Sequence, residues 1–255
     1  MISKPTAAIT GAGSGVGRGL CLELVRTGFK ILALDKNFDA VNQTVAMLAD
    51  PALGQAHELD VTSDSQVNQF ARQAAEEPVG VLINNAGLQR VAPLEEFPQE
   101  QWDRLIDVML QGACRMTRAV LPGMRRRGFG RIINIGSIHS LVASPYKTAY
   151  VAAKHGLLGF AKAVALETAD ADITINTICP SYIRTPLVDA QIADQAAAHG
   201  MNEQEVIEKI MLAPMPKKAF ITMEEIAGTV RFLMSPESRN MTGQTLVLDG
   251  GWTAQ

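Results

Sequence analysis

Short apolar runs separated by helix-length segments constrain this chain more than any other feature. The runs fall at 6–10, 30–35, 57–61, 79–84, 131–137, 173–179 and 245–249. Several lack the apolar–polar alternation of a half-exposed strand, as expected for strands covered on both faces. Segments with helical periodicity lie between them, for example 17–26, 99–127 and 150–169. This βαβ rhythm predicts an α/β fold: a doubly wound parallel sheet with right-handed crossovers and helices on both faces. A chain of 255 residues is long enough for one such domain and does not demand two. One stretch breaks the rhythm. From Pro180 to Thr222 the chain makes a long excursion, carrying Pro180, Pro186, Pro214 and Pro216 and an amphipathic piece at 203–211. Long excursions of this kind are usually lids or binding loops, so a substrate-loop insertion is expected at about 181–222, with a plain surface hairpin as the alternative.

Composition removes several classes of function. A net charge of −3 gives no basic excess for nucleic acid. Arg125, Arg126 and Arg127 read as a solvated helix end. No apolar stretch approaches the ~20 residues of a membrane span. Residues Met1 to Pro5 lead at once into a strand-like run, with no signal peptide in view. Cys21, Cys114 and Cys179 are widely spaced, show no metal or redox pattern, and read as buried reduced thiols. The expectation is a cytoplasmic protein without a metal.

The first run ends in Thr10-Gly11-Ala12-Gly13-Ser14-Gly15-Val16-Gly17 and opens a helix. Glycines permit a tight turn and close approach of a ligand, and the free N–H groups at the helix start can hold a pyrophosphate. A tight turn alone would also need glycine, but the strand–turn–helix context favours a dinucleotide. Asp35 closes the second run, where a carboxylate binds ribose hydroxyls and repels a 2′-phosphate. Lys36 follows it, but no Arg stands inside the Gly-rich turn, so NAD is expected rather than NADP. Asp60 and Val61 reach toward the adenine; Asp60 could equally cap a helix starting near Ser63.

Tyr150 and Lys154 are four residues apart, which places both on one helix face. Ser137 is read at the end of the fifth run, on the carboxyl edge where ligands of such sheets bind. A free phenol titrates at ~10, too high for a base at neutral pH. An ammonium at 4 Å would favour the phenolate by up to ~4 kcal/mol at an effective dielectric of ~20. Ser137 could position a substrate oxygen while Tyr150 takes its proton and hydride leaves for a nicotinamide.

These residues, together with Asn84-Asn85-Ala86-Gly87, Pro180 and Asp249-Gly250-Gly251, resemble the short-chain dehydrogenase/reductase family over essentially the whole chain. The resemblance implies a Rossmann-type domain with a seven-stranded parallel sheet, usually a homotetramer. It implies that Asn84, Asn85, Ala86 and Gly87 stabilise the central strand and line the nicotinamide pocket, with Asn85, Ala86 and Gly87 touching the cofactor, and that Ile183 and Thr185 add cofactor contacts. One position departs: the family's Asn on the long fourth helix is Met109 here, and methionine cannot replace an amide that organises a water beside the lysine. Gln89, Ser137-Ile138-His139, Lys147 to Tyr150, the stretch 185–192 and the tail 250–254 further resemble the bacterial D-3-hydroxybutyrate dehydrogenase branch. There the residues matching Gln89, His139, Lys147 and Gln191 grip a substrate carboxylate. Tyr182 stands where that branch has Trp, and Ser181 where it has Gly. His57, His155 and His199 read as structural. The resemblance implies NAD-dependent interconversion of (R)-3-hydroxybutyrate and acetoacetate, a small hydroxy/keto acid being the partner. A broader ketone, sugar or 3-oxoacyl reductase is the same-class alternative. A non-catalytic dinucleotide-binding regulator is the other, and an intact Ser137, Tyr150 and Lys154 speaks against it.

Overall fold

The computed structural model describes residues 6–77 and 79–254. The chain start read above, Met1 to Pro5, and the His199 side chain lie outside the described residues. Seven strands form one parallel sheet: β1 Thr6–Thr10, β2 Ile31–Asp35, β3 Gly54–Glu58, β4 Val79–Asn84, β5 Phe129–Ile135, β6 Asp172–Pro180 and β7 Thr245–Leu248. Their spatial order is β3-β2-β1-β4-β5-β6-β7, so the winding reverses between β1 and β4. In such sheets the crevice beyond the strand ends at the reversal is the ligand site.

Helices cover both faces. On one side α1 (Gly15–Val25) and α9 (Met223–Met234) bury Leu20, Leu24, Ile226 and Val230 against Ile9, Ile83 and Ile133. On the other, α3 (Asp64–Glu76), α5 (Gly112–Arg127) and α6 (Thr148–Glu167) bury Phe70, Met116, Val120 and Val164 against Leu82, Ile132 and Ile175. Neighbouring residues along β4 therefore point to opposite cores, which is why its run Val79–Asn84 is buried throughout. α2 (Phe38–Ala46) begins at Asn37, whose side chain accepts from the Ala40 N–H.

Several boundaries differ from the sequence expectation for physical reasons. β3 is 54–58, not 57–61. Leu59 and Val61 are buried in the turn after an edge strand, so their apolarity reflects cover for the core rather than pairing. β5 ends at Ile135, so Ser137 is not on the strand; it caps the short 3₁₀ turn Ile138–Ser140. The helical stretch expected at 99–127 is split. α4 (Gln99–Ile106) passes through a π turn at Asp107–Gln111 into α5. Arg115, reaching Asp107 at 2.7 Å and Asp64 at 2.9 Å, ties that turn to the start of α3. Cys21 and Cys179 are buried but Cys114 is exposed, contrary to the buried reading of all three. The excursion after β6 contains α7 (Pro186–His199), α8 (Glu203–Val206) and a π turn Ile207–Met211. Ile192, Val206 and Met211 give it a small core of its own.

No helix among the described residues is long and apolar enough to cross a membrane.

Candidate active site

The crevice at the strand reversal is built by a clamp between β1 and β4. Thr10 Oγ1 accepts from the N–H groups of Asn85 and Ala86, both at 3.0 Å. Asn85 Nδ2 returns the contact, donating to the Thr10 carbonyl at 2.9 Å. This fixes the Gly-rich turn against the residues that follow β4. Two of its glycines have identifiable reasons. Gly11 has φ +65°, and a side chain on Gly17 would strike the Gly11 carbonyl and lie 2.6 Å from Asn85 Nδ2.

Asp35 closes the other side of the turn. Its carboxylate accepts from the Gly13 N–H at 2.9 Å and from the Asn37 N–H at 2.9 Å. It is not a helix cap, since Asn37 holds that role for α2. Arg18 lies behind the turn, donating to Thr44 Oγ1 at 2.9 Å and to the Gly13 carbonyl. Its guanidinium is thereby engaged on the far side of the turn. Asp60 does not cap α3 either. Ser63 does, while Asp60 accepts from the N–H and hydroxyl of Thr62 at 2.9 and 2.7 Å. Those two bonds hold its carboxyl below the usual range against the opposing effect of burial.

A cavity of about 690 Å³ is lined by Asp35, Asp60, Val61, Ala86 and Gly87. A second of about 420 Å³ carries Ser14, Gly15, Val16, Ser137, Tyr150 and Lys154. Both include Gly11, Asp35 and Gly87, so they form one trough across the sheet end. A dinucleotide fits this trough. α1 points its N-terminus into it with no acidic residue in its first turn and no side-chain bond from Ser14, leaving its N–H groups for an anion. Thr185, the N-cap of α7, stands across from Gly15, and Ile183 lines the same wall.

The expected triad is brought together. Tyr150 and Lys154 share one face of α6, with the lysine Nζ 5.6 Å from the phenol ring centre. Lys154 donates to the Ile135 carbonyl at 2.7 Å, and burial pushes it down to about 8. Burial raises Tyr150, opposed by its hydrogen bond with Ser137. The ~4 kcal/mol expected of the ammonium was an upper figure before desolvation, and in the fold burial moves Tyr150 the other way.

The proposed carboxylate-binding residues line the cavity too: Gln89, His139, Lys147 and Gln191, with Tyr182 beside them. Gln89 Oε1 is buried without a protein partner. His139 lies over Tyr150 in an edge contact at 6.1 Å, and its Nε2 is 2.7 Å from Ser144 Oγ. Burial and the charge of Lys147 push its pKa down to about 4, so it is neutral at pH 7. Burial also lowers Lys147, whose Nζ sits 6.0 Å from the Tyr182 ring centre.

Two contributors escaped the sequence reading. Ser144 orients His139 from the loop before α6. Trp252 stacks on Tyr182 at 6.1 Å and meets His139 edge-on at 6.1 Å. It is seated by Asp249, whose carboxylate accepts from the N–H groups of Gly251 and Thr253 at 2.8 and 2.7 Å. The Gly250-Gly251-Trp252 tail was visible, but nothing local in the sequence says that it folds back onto a residue over a hundred positions earlier.

Residues 11–253 match a family model described as enoyl-(acyl carrier protein) reductase. The chain is 43% identical to the D-beta-hydroxybutyrate dehydrogenase of Rhizobium meliloti (strain 1021), over 98% of this chain and 99% of that protein. It is 38% identical to the D-beta-hydroxybutyrate dehydrogenase of Cupriavidus necator over the full length of both. A crystal structure of an actinorhodin polyketide ketoreductase variant with NADPH superposes with a TM-score of 0.93 at 29% identity, covering 99% of this chain and 98% of that one. The trough, the Tyr–Lys pair on one helix face and these full-length likenesses lead to one assignment: the chain belongs to the short-chain dehydrogenase/reductase family.

Proposed function

We propose that this protein interconverts (R)-3-hydroxybutyrate and acetoacetate with NAD. The observation that carries the reading is the company around Tyr150: a half-buried Lys147, a neutral His139 and the amides of Gln89 and Gln191 converge on the cavity that holds the triad. A carboxylate is the ligand chemistry that suits a desolvated ammonium flanked by directional donors. The likeness to two D-beta-hydroxybutyrate dehydrogenases supports the substrate and its handedness.

NAD bound in the trough would supply the hydride acceptor and a positive charge beside the phenol. Gly11, Ser14, Gly15, Val16 and Gly17 would hold the pyrophosphate at the start of α1. Asp35 would take the adenosine ribose hydroxyls, Asp60, Val61 and Ala86 the adenine side, and Asn85, Gly87, Ile183 and Thr185 the nicotinamide half. The preference for NAD over NADP rests on the Asp35 carboxylate at the mouth and on Arg18 being engaged behind the turn.

Lys147, with Gln89, His139 and Gln191, anchors the substrate carboxylate. Ser137 holds the substrate hydroxyl, and Tyr150 takes its proton as the C–H bond breaks. Lys154 keeps its ammonium under the ring and stabilises the phenolate that precedes that transfer. Tyr182, backed by Trp252, bounds the space and keeps the acid small. The chain acts as one nucleotide-binding domain with residues 181–222 as its substrate loop. The free cysteines support a reducing cytoplasmic setting. Exposed apolar side chains on α6, α9 and β7, such as Leu166, Phe232 and Val247, support a homotetramer.

The test is a steady-state assay of the purified protein with both enantiomers and both cofactors. The expected result is turnover of the (R) acid with NAD. Turnover of neither enantiomer, or equal efficiency with NADP, refutes the proposal.

A further inference from the structure

Among the described residues two that are not glycine hold a positive φ, Lys218 at +48° and Tyr146 at +65°. Side chains of L residues adopt this left-handed backbone at a cost in strain, and bulky ones seldom do. Lys218 is held there by its own side chain, which donates to the Leu212 carbonyl at 3.2 Å. The Tyr146 ring gives no such support: it is 55% exposed and lines neither cavity of the trough.

Backbone strain of this kind persists where the surrounding structure over-determines it. Three constraints meet at Tyr146. Pro145 before it has a fixed φ and no N–H. Lys147 after it opens α6, its carbonyl accepting from the Val151 N–H at 2.8 Å. The Tyr146 carbonyl itself accepts from the N–H of Ala92 at 3.0 Å, in the loop between β4 and α4. Proline followed by a left-handed residue is the pattern of a type II turn, whose second central position ordinarily takes Gly or Asn.

The two segments joined by the Ala92 bond carry the polar lining of the substrate end. Gln89 lies three residues before Ala92 on one of them. On the other, Lys147 follows Tyr146 directly, and Ser144, which meets His139 Nε2 at 2.7 Å, precedes it by two. Gln89, His139 and Lys147 all line the cavity that holds Tyr150. Lys147 is the N-cap of α6, so the turn that delivers it to the helix also sets where its side chain starts.

We propose that the left-handed turn at Tyr146, pinned by the Ala92 bond, fixes the offset between the segment of Gln89 and the segment of Ser144 and Lys147, and that Tyr146 is thereby a positioning residue for acid recognition. Its backbone does this and its ring does not. The inference rests on Lys147 and His139 meeting a substrate carboxylate, as proposed above.

Four variants separate the hand of the turn from the ring. Tyr146→Gly and Tyr146→Asn remove the ring and keep the left-handed backbone accessible. Tyr146→Pro forbids it, because proline fixes φ at about −65° and is disfavoured at the second central position of a type I turn as well. Ala92→Pro keeps Tyr146 and removes the donor N–H. Each is assayed on acetoacetate and on a neutral methyl ketone of the same size, after circular dichroism has established folding. In Tyr146→Pro and Ala92→Pro, kcat/KM for acetoacetate falls about tenfold or more relative to the ketone, mainly through KM. In Tyr146→Gly and Tyr146→Asn that ratio stays within about twofold of wild type. Where Tyr146→Pro does not fold, Ala92→Pro decides. An unchanged ratio in a folded proline variant overturns the proposal, as does the same selective loss in both Tyr146→Gly and Tyr146→Asn.

A second readout does not depend on the substrate. The charged and titratable groups around His139 are Lys147, His155 and Tyr150. Burial, then the charges of Lys147 and His155, hold its imidazole well below the ordinary value. Its titration, followed by ring-proton NMR, moves up by about half a unit or more in the two proline variants as Lys147 is displaced, and stays in place in the Gly and Asn variants. An unmoved His139 in the folded proline variants overturns the proposal. Absence of acetoacetate turnover by the wild-type protein refutes the substrate assignment, and the His139 titration still decides the role of the turn.

Discussion

Replacing Lys147 by Met separates the anchor from the fold. The thioether side chain keeps most of the lysine stem beside Tyr182 while removing the charge. An ammonium at 4 Å from a carboxylate is worth ~4 kcal/mol at an effective dielectric of ~20. The trough is open to water, so about 2–3 kcal/mol is expected to survive, which is roughly a 30- to 150-fold loss in kcat/KM. A neutral ketone of the same size has no carboxylate to lose and should fall by less than about threefold. The structure adds a second signature. Lys147 is one of the causes holding His139 down to about 4, so without it the imidazole titrates closer to its ordinary 6.5. As pH falls through that range, an imidazolium takes up part of the lost charge and the deficit against the keto acid shrinks. The assay is steady-state reduction of acetoacetate and of a neutral methyl ketone, each at neutral and mildly acidic pH. An equal loss on both substrates would refute the anchoring role and leave Lys147 as a support of the helix start.

Asp35→Ala should raise the NADP-to-NAD ratio of kcat/KM by about 100-fold, since removing a charge repulsion worth ~2–3 kcal/mol exposes Lys36 to a 2′-phosphate; an unchanged ratio contradicts the selector role. Tyr150→Phe should lower kcat by at least about 100-fold, with NAD affinity measured by calorimetry unchanged; a loss confined to affinity would assign Tyr150 to binding alone. His139 gives a stability prediction with a definite sign. Below its ordinary 6.5 the unfolded chain takes up a proton there, while the folded chain resists until about 4. Stability is therefore held above 6.5 and lost as pH falls toward 4, by up to about 3 kcal/mol. Urea unfolding at several pH values checks this, and His139→Gln should flatten the slope.

Much of the architecture was legible because burial on two faces writes itself into composition. The runs ending in Thr10, Asp35 and Asn84 matched their strands at the carboxyl ends, which are the ends that build the site. The signal failed at one edge strand: among the described residues β3 pairs only with β2, and Leu59 and Val61 looked like strand because they cover a core from a turn. Helical spacing put Tyr150 and Lys154 on one face of α6, as found, but that spacing is common on helices, and only Ser137 and the Gly-rich turn beside it suggested a role. Ser137 was placed near its true position but on the wrong element: Gly136 still donates to the Ile178 carbonyl of β6 at 2.7 Å, and the chain turns away at Ser137, which caps the 3₁₀ turn that follows. Partners that arrive from distant segments were not legible. Ser144 and Trp252 meet His139 only through the fold, and the direction of the Tyr150 shift depended on how deeply it is covered. The π turn at Asp107–Gln111 has no residue signature that separates it from plain helix.

The seating of Trp252 by Asp249 has a consequence for the order of assembly. The residues proposed for the pyrophosphate, the triad and the carboxylate all precede residue 192 in the chain, yet Trp252, the aromatic backing of His139 and Tyr182, arrives after β7. A nascent chain can thus close its nucleotide half during synthesis while two walls of its proposed acid pocket still lack their backing. The β7 pairing with β6 couples the last strand to the wall it carries. A polypeptide interrupted before Asp249 would retain affinity for the dinucleotide but lose discrimination among acids, a separation of two properties that limited proteolysis would expose directly.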